Sequence, residues 1–521
     1  MAMRPDETHS RLDRIALILI AGYVLALLFA GWKIHFIETP NSAEMDGYAD
    51  KAREIMAGQI PRDPYHPLFY PVLSALVGAV ARNAFTGARI VSSLAAGLLA
   101  LMTYLVGRRC FGRGVGFFAL IALLVNCNVV IMGMEAATDM TFAALAMTML
   151  FFCIRVSSGL RYRDMAFLAA SFALALFTRY NALFLLPAVV IACGFSVAGV
   201  PIRRRALALL LFAAVAALAL TPHFILTERV FGRPWYSESW RNLALKVHGD
   251  YDWSYFRNAH SEGVLSIILS SPAKFTVSSF RELVKFFYST LTDLGGGALA
   301  GGLFAAAALT GFYAAWFEID RRKIVVASLA VFFVGLNCMF FYSGPRLMLP
   351  VLPLGYLWAG AAMLSGPFAG SFRAGRLRIA RSIPAIALFA AALLTSSVIH
   401  VDAYVKAQPV RELEAARLVE QRYGDRITVL GTFPFMQRYV GYRYVELSDA
   451  TSSEIDHPAA YIASLGASVR AKGADFVIIG KFFLENRPLE LLNALSPPDF
   501  LEPIVRESDV VVYRVRKELL Q

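Results

Sequence analysis

The chain has 521 residues, 57% of them hydrophobic and 17% charged, with a formal net charge of +12. A soluble domain of average composition carries about 25% charged residues, so an ordinary soluble fold is excluded and a membrane-embedded chain is indicated. The positive balance does not point to nucleic acid, because most lysines and arginines fall in short connectors between apolar runs.

The N-terminus carries Arg4, Arg11 and Arg14 ahead of an apolar run that starts at Ile15 and fades near Trp32. The run is long enough to span a bilayer, and no small-x-small cleavage site follows it, which predicts a retained signal anchor. A spanning helix needs roughly 20 apolar residues. The stretches that qualify are 15–35, 86–107, 114–133, 137–155, 163–178, 181–199, 204–222, 297–317, 324–342, 346–364 and 382–400, about eleven in all. Alternate connectors are basic: Arg108, Arg109 and Arg113; Arg155, Arg161 and Arg163; Arg203, Arg204 and Arg205; Arg321, Arg322 and Lys323; Arg373, Arg376, Arg378 and Arg381. The intervening connectors hold almost no basic residue except Arg179 and Arg346. This alternation predicts a cytoplasmic N-terminus, with loops 36–85 and 223–296 and the tail 401–521 outside the membrane. The predicted fold class is therefore an α-helical polytopic membrane domain over 1–400, followed by a small extracytoplasmic α/β domain over 401–521.

The first outer loop is dense in carboxylates: Glu38, Glu44, Asp46, Asp50, Glu54 and Asp63. Glu44 and Asp46 flank Met45 just before a helix pattern, YADKAREIMAG, that closes on Gly58. Acids at that place suit a helix start. They equally suit a general base that takes the proton of an acceptor hydroxyl, and the spacing does not say which of the two would react. Residues 68–82 are apolar but short for a span and read as a helix lying in the interface.

Asp139 lies in GMEAATDM, four residues after Glu135 on one helical face. An acid at a membrane boundary is costly and usually functional, although a helix N-terminus also accommodates one. Arg179 in LFTRYNALFLLP and Arg346 in YSGPRLMLPVLP sit at outer boundaries against the charge asymmetry. A guanidinium binds phosphate through a planar fork of donors; the plainer reading is snorkelling toward headgroups. His66 in YHPLFYP could add a donor near the same phosphate, or be structural.

The loop 223–296 carries Trp235, Tyr236, Trp240, His248, Tyr251, Trp253 and Tyr255. An interfacial aromatic belt explains such residues; stacking on a sugar or packing on an isoprenoid chain is the sharper reading. Trp235 and Tyr236, with Tyr48 and Tyr65 of the first loop, are candidate substrate contacts. The cysteines are Cys110, Cys127, Cys153, Cys193 and Cys338, none of them in a predicted outer loop, so no disulfide and no metal cluster is expected. No ligand spacing demands a cofactor, though carboxylates beside a phosphate could hold a divalent metal ion. In the tail, a charged helix pattern over 409–423, strands at 427–433, 442–447 and 474–480, a helix over 458–471 and a strand pair near 500–516 predict a small α/β domain.

Taken together, these stretches resemble the GT-C superfamily of membrane glycosyltransferases, in particular its protein O-mannosyltransferase-like and lipid A aminoarabinose transferase-like branch. The resemblance covers about residues 15–365 and rests on the acidic first loop with YADKAREIMAG, on YHPLFYP, on GRRCFGR, on GMEAATDM, and on TRYNALFLLP with PRLMLPVLP. It implies a polyprenyl-phosphate-linked sugar donor and a glycan, lipid or protein acceptor meeting on the outer face of an inner membrane; in-line attack by an acceptor hydroxyl on such a donor predicts inversion at the anomeric carbon. It places the first-loop catalytic acid on Glu44 or Asp46 and a second acid on Asp139. It puts Arg179 at the lipid phosphate and His66 where the lipid A transferases have a lysine. A secondary transporter and a non-catalytic envelope assembly protein are the rival readings. Transporters place ionisable groups near the bilayer midplane, whereas the polar candidates here cluster at one face.

Overall fold

A computed structural model describes residues 5–34, 47–61, 66–194, 200–251, 263–317, 320–365, 371–374, 377–380, 382–406, 408, 410–433, 436–447, 458–480, 498–507 and 510–520. The chain forms two compact units, a helical one that runs to Asp402 and a second one from Ala403 to the end.

Among the described residues, seven helices are long and apolar enough to cross a membrane. They are Pro5–Ile34, Ala84–Cys110, Thr138–Ser158, Ile202–Phe231, Ala298–Phe317, Arg321–Phe340 and the helix that begins at Ser382. Three predicted spans are shorter apolar helices: Tyr162–Thr178, a 3-10 turn Tyr180–Leu185 that continues into Leu186–Gly194, and a 3-10 turn Leu349–Val351 that continues into Leu352–Ser365. The chain is a multi-span helical membrane protein, as predicted.

The predicted unbroken span 114–133 is instead two helices, Arg113–Leu124 and Cys127–Met134, bent by 60°. Asn126 causes the break. Its side-chain oxygen accepts from the Val129 N–H at 3.2 Å and so caps the second helix, while its amide donates to the Leu294 carbonyl and the Tyr356 hydroxyl. A polar side chain that starts a new helix outcompetes continuation through an apolar run.

The helix Thr138–Ser158 sits at the centre and is buried on nearly every face. It packs against Ala84–Cys110, Tyr162–Thr178 and Arg321–Phe340, which is why it is apolar all round rather than striped. Elsewhere the helices approach closely where a side chain is missing. At Gly311, a Cβ would fall well inside contact distance of the Trp358 carbonyl, so Ala298–Phe317 and Leu352–Ser365 meet backbone to backbone.

The predicted loop 223–296 is largely helical. Ile202–Phe231 runs nine residues beyond Pro222, and Trp240–Val247, Val264–Ser270 and Pro272–Lys285 follow. The helix Pro272–Lys285 is amphipathic in the inverted sense. It buries Ser278 and Glu282, and exposes Val277 and Phe280 at 68% and 67%. A helix in water does the opposite; this one suits a lipid-facing surface. The basic connector between Ser365 and Ser382 contains an antiparallel ribbon of β1 (Ser371–Ala374) and β2 (Leu377–Ala380) that the sequence reading did not anticipate.

The second unit is a five-stranded mixed sheet of β3 (Thr428–Gly431), β4 (Arg443–Glu446), β5 (Phe476–Gly480), β6 (Leu501–Arg506) and β7 (Val510–Val515), in the order β4-β3-β5-β7-β6. β4 and β5 flank β3 in parallel, and β7 joins β5 and β6 antiparallel. All five residues of β5 are buried, as a central strand covered on both faces requires. One face packs on Leu413, Ala416 and Val419 of the helix Val410–Tyr423, the other on Leu465 and Val469 of the helix Pro458–Lys472. Each predicted element of the tail is present within about three residues of its expected bounds.

Candidate active site

The site is assembled at one end of the helical bundle from five separate stretches. The helix Thr138–Ser158 supplies Asp139 in its first turn, where the helix dipole favours an acid. Tyr162–Thr178 ends one residue before Arg179, whose backbone is extended and whose N–H still bonds the Ala175 carbonyl. Arg179 therefore stands at a junction, since its own carbonyl accepts from Ala182 to open the next 3-10 turn. Arg346 lies in the non-helical segment between Phe340 and the turn Leu349–Val351.

These three side chains meet. Arg179 Nη1 is 2.6 Å from Asp139 Oδ1, and Arg346 Nε is 2.6 Å from Asp139 Oδ2. The carboxylate is 1% exposed, whereas the arginine side chains keep 18% and 22%. One carboxylate oxygen thus holds each guanidinium, while both arginine side chains stay partly exposed. Such charge-assisted bonds are about twice as strong as neutral ones.

The first loop joins the same point through Tyr48, the first residue of the helix Tyr48–Met56. Thr138 Oγ1 donates to the Tyr48 hydroxyl at 3.2 Å and accepts from Arg179 Nη1 at 3.2 Å. Gly47, just before Tyr48, has φ of 66°, a left-handed conformation that glycine adopts without penalty. Tyr48 is edge-on to both His66 and Tyr70, with ring centroids 5.1 and 5.6 Å apart. Lys51, one helical turn beyond Tyr48, is 6% exposed, and its ammonium lies 3.1 Å from His66 Nδ1 and 5.0 Å from the Tyr48 ring centroid. The Tyr70 hydroxyl donates to the Ala88 carbonyl and pairs with Ser92, which in turn donates to the Ala137 carbonyl beside Thr138. Lys51 and His66 thus flank the Tyr48 ring, and the Tyr48 hydroxyl leads through Thr138 to the Asp139 clamp.

Trp235 reaches the rim of this cluster. Its ring packs on Tyr180, the residue after Arg179, and on His223, with centroids 5.8 and 5.6 Å away. Tyr236 turns back on its own loop, packing on Phe231 and donating to Glu238. Glu44, Asp46 and Tyr65 lie outside the described residues. Among the described residues, no three His, Cys, Asp or Glu side chains converge as metal ligands.

The structure thus brings together Asp139, Arg179, Arg346, Tyr48 and His66, and adds two side chains the sequence reading did not single out. Thr138 had the signal of adjacency to Asp139. Lys51 had that of i+3 spacing from Tyr48, which places both on one face of a helix. Two residues after Asp139 and after Arg179 in the chain, Thr141 Oγ1 and both amide atoms of Asn181 are buried without a hydrogen-bond partner among the described residues. Buried polar groups are nearly always satisfied, so these atoms stand out in the two stretches that also carry Asp139 and Arg179.

The opposite end of the bundle has a different chemistry. Asp13 pairs with Arg108 at 2.9 Å, Arg155 with Asp164 at 2.8 Å, and Arg322 donates to the Arg109 carbonyl. Asp139 and Arg155 share one helix and are separated by roughly 24 Å of rise. The basic connectors and the clamp are therefore on opposite ends of the bundle.

A family of dolichyl-phosphate-mannose-protein mannosyltransferases matches residues 65–226. No curated protein sequence matches the chain. Among solved structures, ArnT from Cupriavidus metallidurans bound to undecaprenyl phosphate is similar with a TM-score of 0.56 at 16% identity, covering 95% of this chain and 97% of that one. Its apo state gives the same TM-score at 15% identity. The archaeal oligosaccharyltransferase AglB from Archaeoglobus fulgidus, in complex with an inhibitory peptide and a dolichol-phosphate, is similar with a TM-score of 0.54 at 11% identity, covering 89% of this chain and 69% of that one. The fold is the one these GT-C membrane proteins share, in agreement with the sequence resemblance.

Proposed function

We propose that this chain, with its GT-C fold, is an inverting glycosyltransferase. It moves a sugar from a polyprenyl-phosphate donor to an envelope glycan, lipid or protein acceptor on the outer face of the inner membrane. The observation that carries this reading is the pair of guanidinium groups held by one buried carboxylate at the bundle end away from the basic connectors. Two fixed forks at a membrane boundary are what a lipid phosphate needs for recognition. Basic connectors belong on the cytoplasmic side, which puts the clamp outside. The lipids bound in ArnT and AglB are of the same chemical class.

In this reading Arg179 and Arg346 bind the donor phosphate and stabilise the charge that builds on it as the anomeric bond breaks. Asp139 has both oxygens committed to these arginines and holds them in place. The departing group is a phosphate monoester, so no strong general acid is required. Glu44 or Asp46 takes the proton of the acceptor hydroxyl, and attack opposite the phosphate inverts the anomeric carbon. Tyr48, bonded to Thr138, anchors the end of the stretch that carries both acids. His66 and Lys51 extend the positive side of the site, and Trp235 offers a partly exposed ring at its rim. The membrane fixes the depth of the donor phosphate and supplies much of the positioning. The clamp residues stand at helix ends rather than at mid-span, which favours a one-surface enzyme over a transporter.

Glu44→Gln and Asp46→Asn, made separately, are expected to differ sharply. The substitution at the true base lowers transfer by roughly 10³ and leaves binding of undecaprenyl phosphate to the purified protein unchanged. Normal transfer in both variants removes the base from this loop. The reaction itself is tested by mass spectrometry of lipids and envelope glycans from cells lacking the protein. One polyprenyl-phosphate sugar accumulates, and the matching sugar disappears from a glycan, lipid or protein. An unchanged profile while the protein is normally made would refute the transferase reading.

A further inference from the structure

The inverted helix Pro272–Lys285 hides a carboxylate that the mechanism above does not use. Glu282 is 1% exposed. One of its oxygens accepts from the Tyr251 hydroxyl; the other accepts from the Ser343 backbone N–H and, at 2.7 Å, from the Ser343 hydroxyl. Ser343 stands three residues before Arg346. A second buried charge secures the other side of the same segment. Lys246, 2% exposed, donates to the carbonyls of Cys338 and Met339 and to the Ser279 hydroxyl. Those carbonyls belong to the last turn of Arg321–Phe340, whose orphan acceptors favour a cation. Burial pushes the Lys246 ammonium down to about 8, and these acceptors support its charge at neutral pH. Asn337 completes the frame by donating to the Tyr342 carbonyl at 3.2 Å.

Two buried charges are expensive, and both hold the segment 338–346. We propose that Glu282 is a positioning residue for Arg346: it fixes the Ser343 segment and thereby the angle at which Arg346 meets Asp139. The tie to the segment stands on these contacts alone. Its consequence for phosphate binding rests on the clamp reading above.

Glu282→Gln removes the charge: the amide oxygen can still accept from Ser343 and the NH2 can donate to the Tyr251 hydroxyl, so what is lost is the charge-assisted strength of these bonds. Hydrogen exchange followed by mass spectrometry should then show residues 341–347 exchanging about tenfold faster, with the helices Thr138–Ser158 and Ala84–Cys110 unchanged. Equal exchange in 341–347 overturns the proposal. If the substitution loosens the whole bundle, Ser343→Ala decides in its place, since it removes one bond and leaves Glu282 buried; unchanged exchange there overturns it equally. Binding of undecaprenyl phosphate should weaken by about tenfold in Glu282→Gln, and should not weaken further when Glu282→Gln is added to Arg346→Gln. Additive losses overturn the route through Arg346. Failure of the wild-type protein to bind undecaprenyl phosphate counts against the clamp reading, and the exchange experiment still decides the positioning role.

Discussion

Asp139→Asn is expected to lower sugar transfer by about 10³ while the affinity for undecaprenyl phosphate stays within about threefold. The carboxylate holds two guanidinium groups at 2.6 Å each and is itself buried. Its amide cannot accept from both, so the forks lose their fixed direction and the electrostatic preorganisation on which charge stabilisation depends. Removing one member of a buried ionic cluster costs about 3–5 kcal/mol, enough for an effect of this size. Affinity is spared because the substitution also removes the negative charge that partly offsets the two arginines. Arg179→Ala and Arg346→Ala should lower binding and transfer together. Steady-state transfer rates and equilibrium lipid binding on the purified variants check the contrast. A parallel loss of affinity in Asp139→Asn would instead make the carboxylate part of the binding surface itself.

Gly311→Leu is expected to abolish recovery of folded protein, with a destabilisation of about 3 kcal/mol or more. A side chain at 311 collides with the Trp358 carbonyl, a backbone atom that cannot rotate away. The neighbouring Phe312 and Trp358 rings meet edge to face at 4.9 Å, which fixes the spacing of the same two helices. Gly302, on the same helix, has open space where a Cβ would go. Gly302→Leu should therefore fold normally. Yield and monodispersity on size-exclusion chromatography of the two variants, side by side, separate a packing effect from a general cost of replacing glycine.

The sequence made the helices legible because the bilayer demands them: every long apolar run had to satisfy its backbone internally. It also marked Arg179 and Arg346, since each breaks the charge alternation at a helix end. That the two share Asp139 could not be read, because the pairing is set by how a helix start, a helix end and a distant non-helical segment pack together and not by any local spacing. The break at Asn126 was hidden for the opposite reason. Hydropathy averages over a window, and a single asparagine that caps a helix in apolar company barely alters the average. Glu282 escaped because amphipathic reasoning assigns polar faces to water, an assumption reversed for a helix whose outer surface is apolar. The tail was legible in detail because its strands are short and alternate with helices that stop at glycines, Gly424 and Gly473, both with positive φ.

The three clamp side chains themselves carry one negative charge and two positive ones. A polyprenyl-phosphate sugar is a diester with one negative charge, and the trio neutralises it. Once the sugar has left, the spent carrier is a monoester whose second ionisation lies near pH 6, so it carries about −1.5 to −2 at neutral pH. The same two arginines therefore grip the product more firmly than the substrate. On the proposed reaction, turnover is governed by release of the empty lipid carrier rather than by the breaking of its bond to sugar, and the enzyme's speed in a cell follows how quickly that carrier is withdrawn from the membrane.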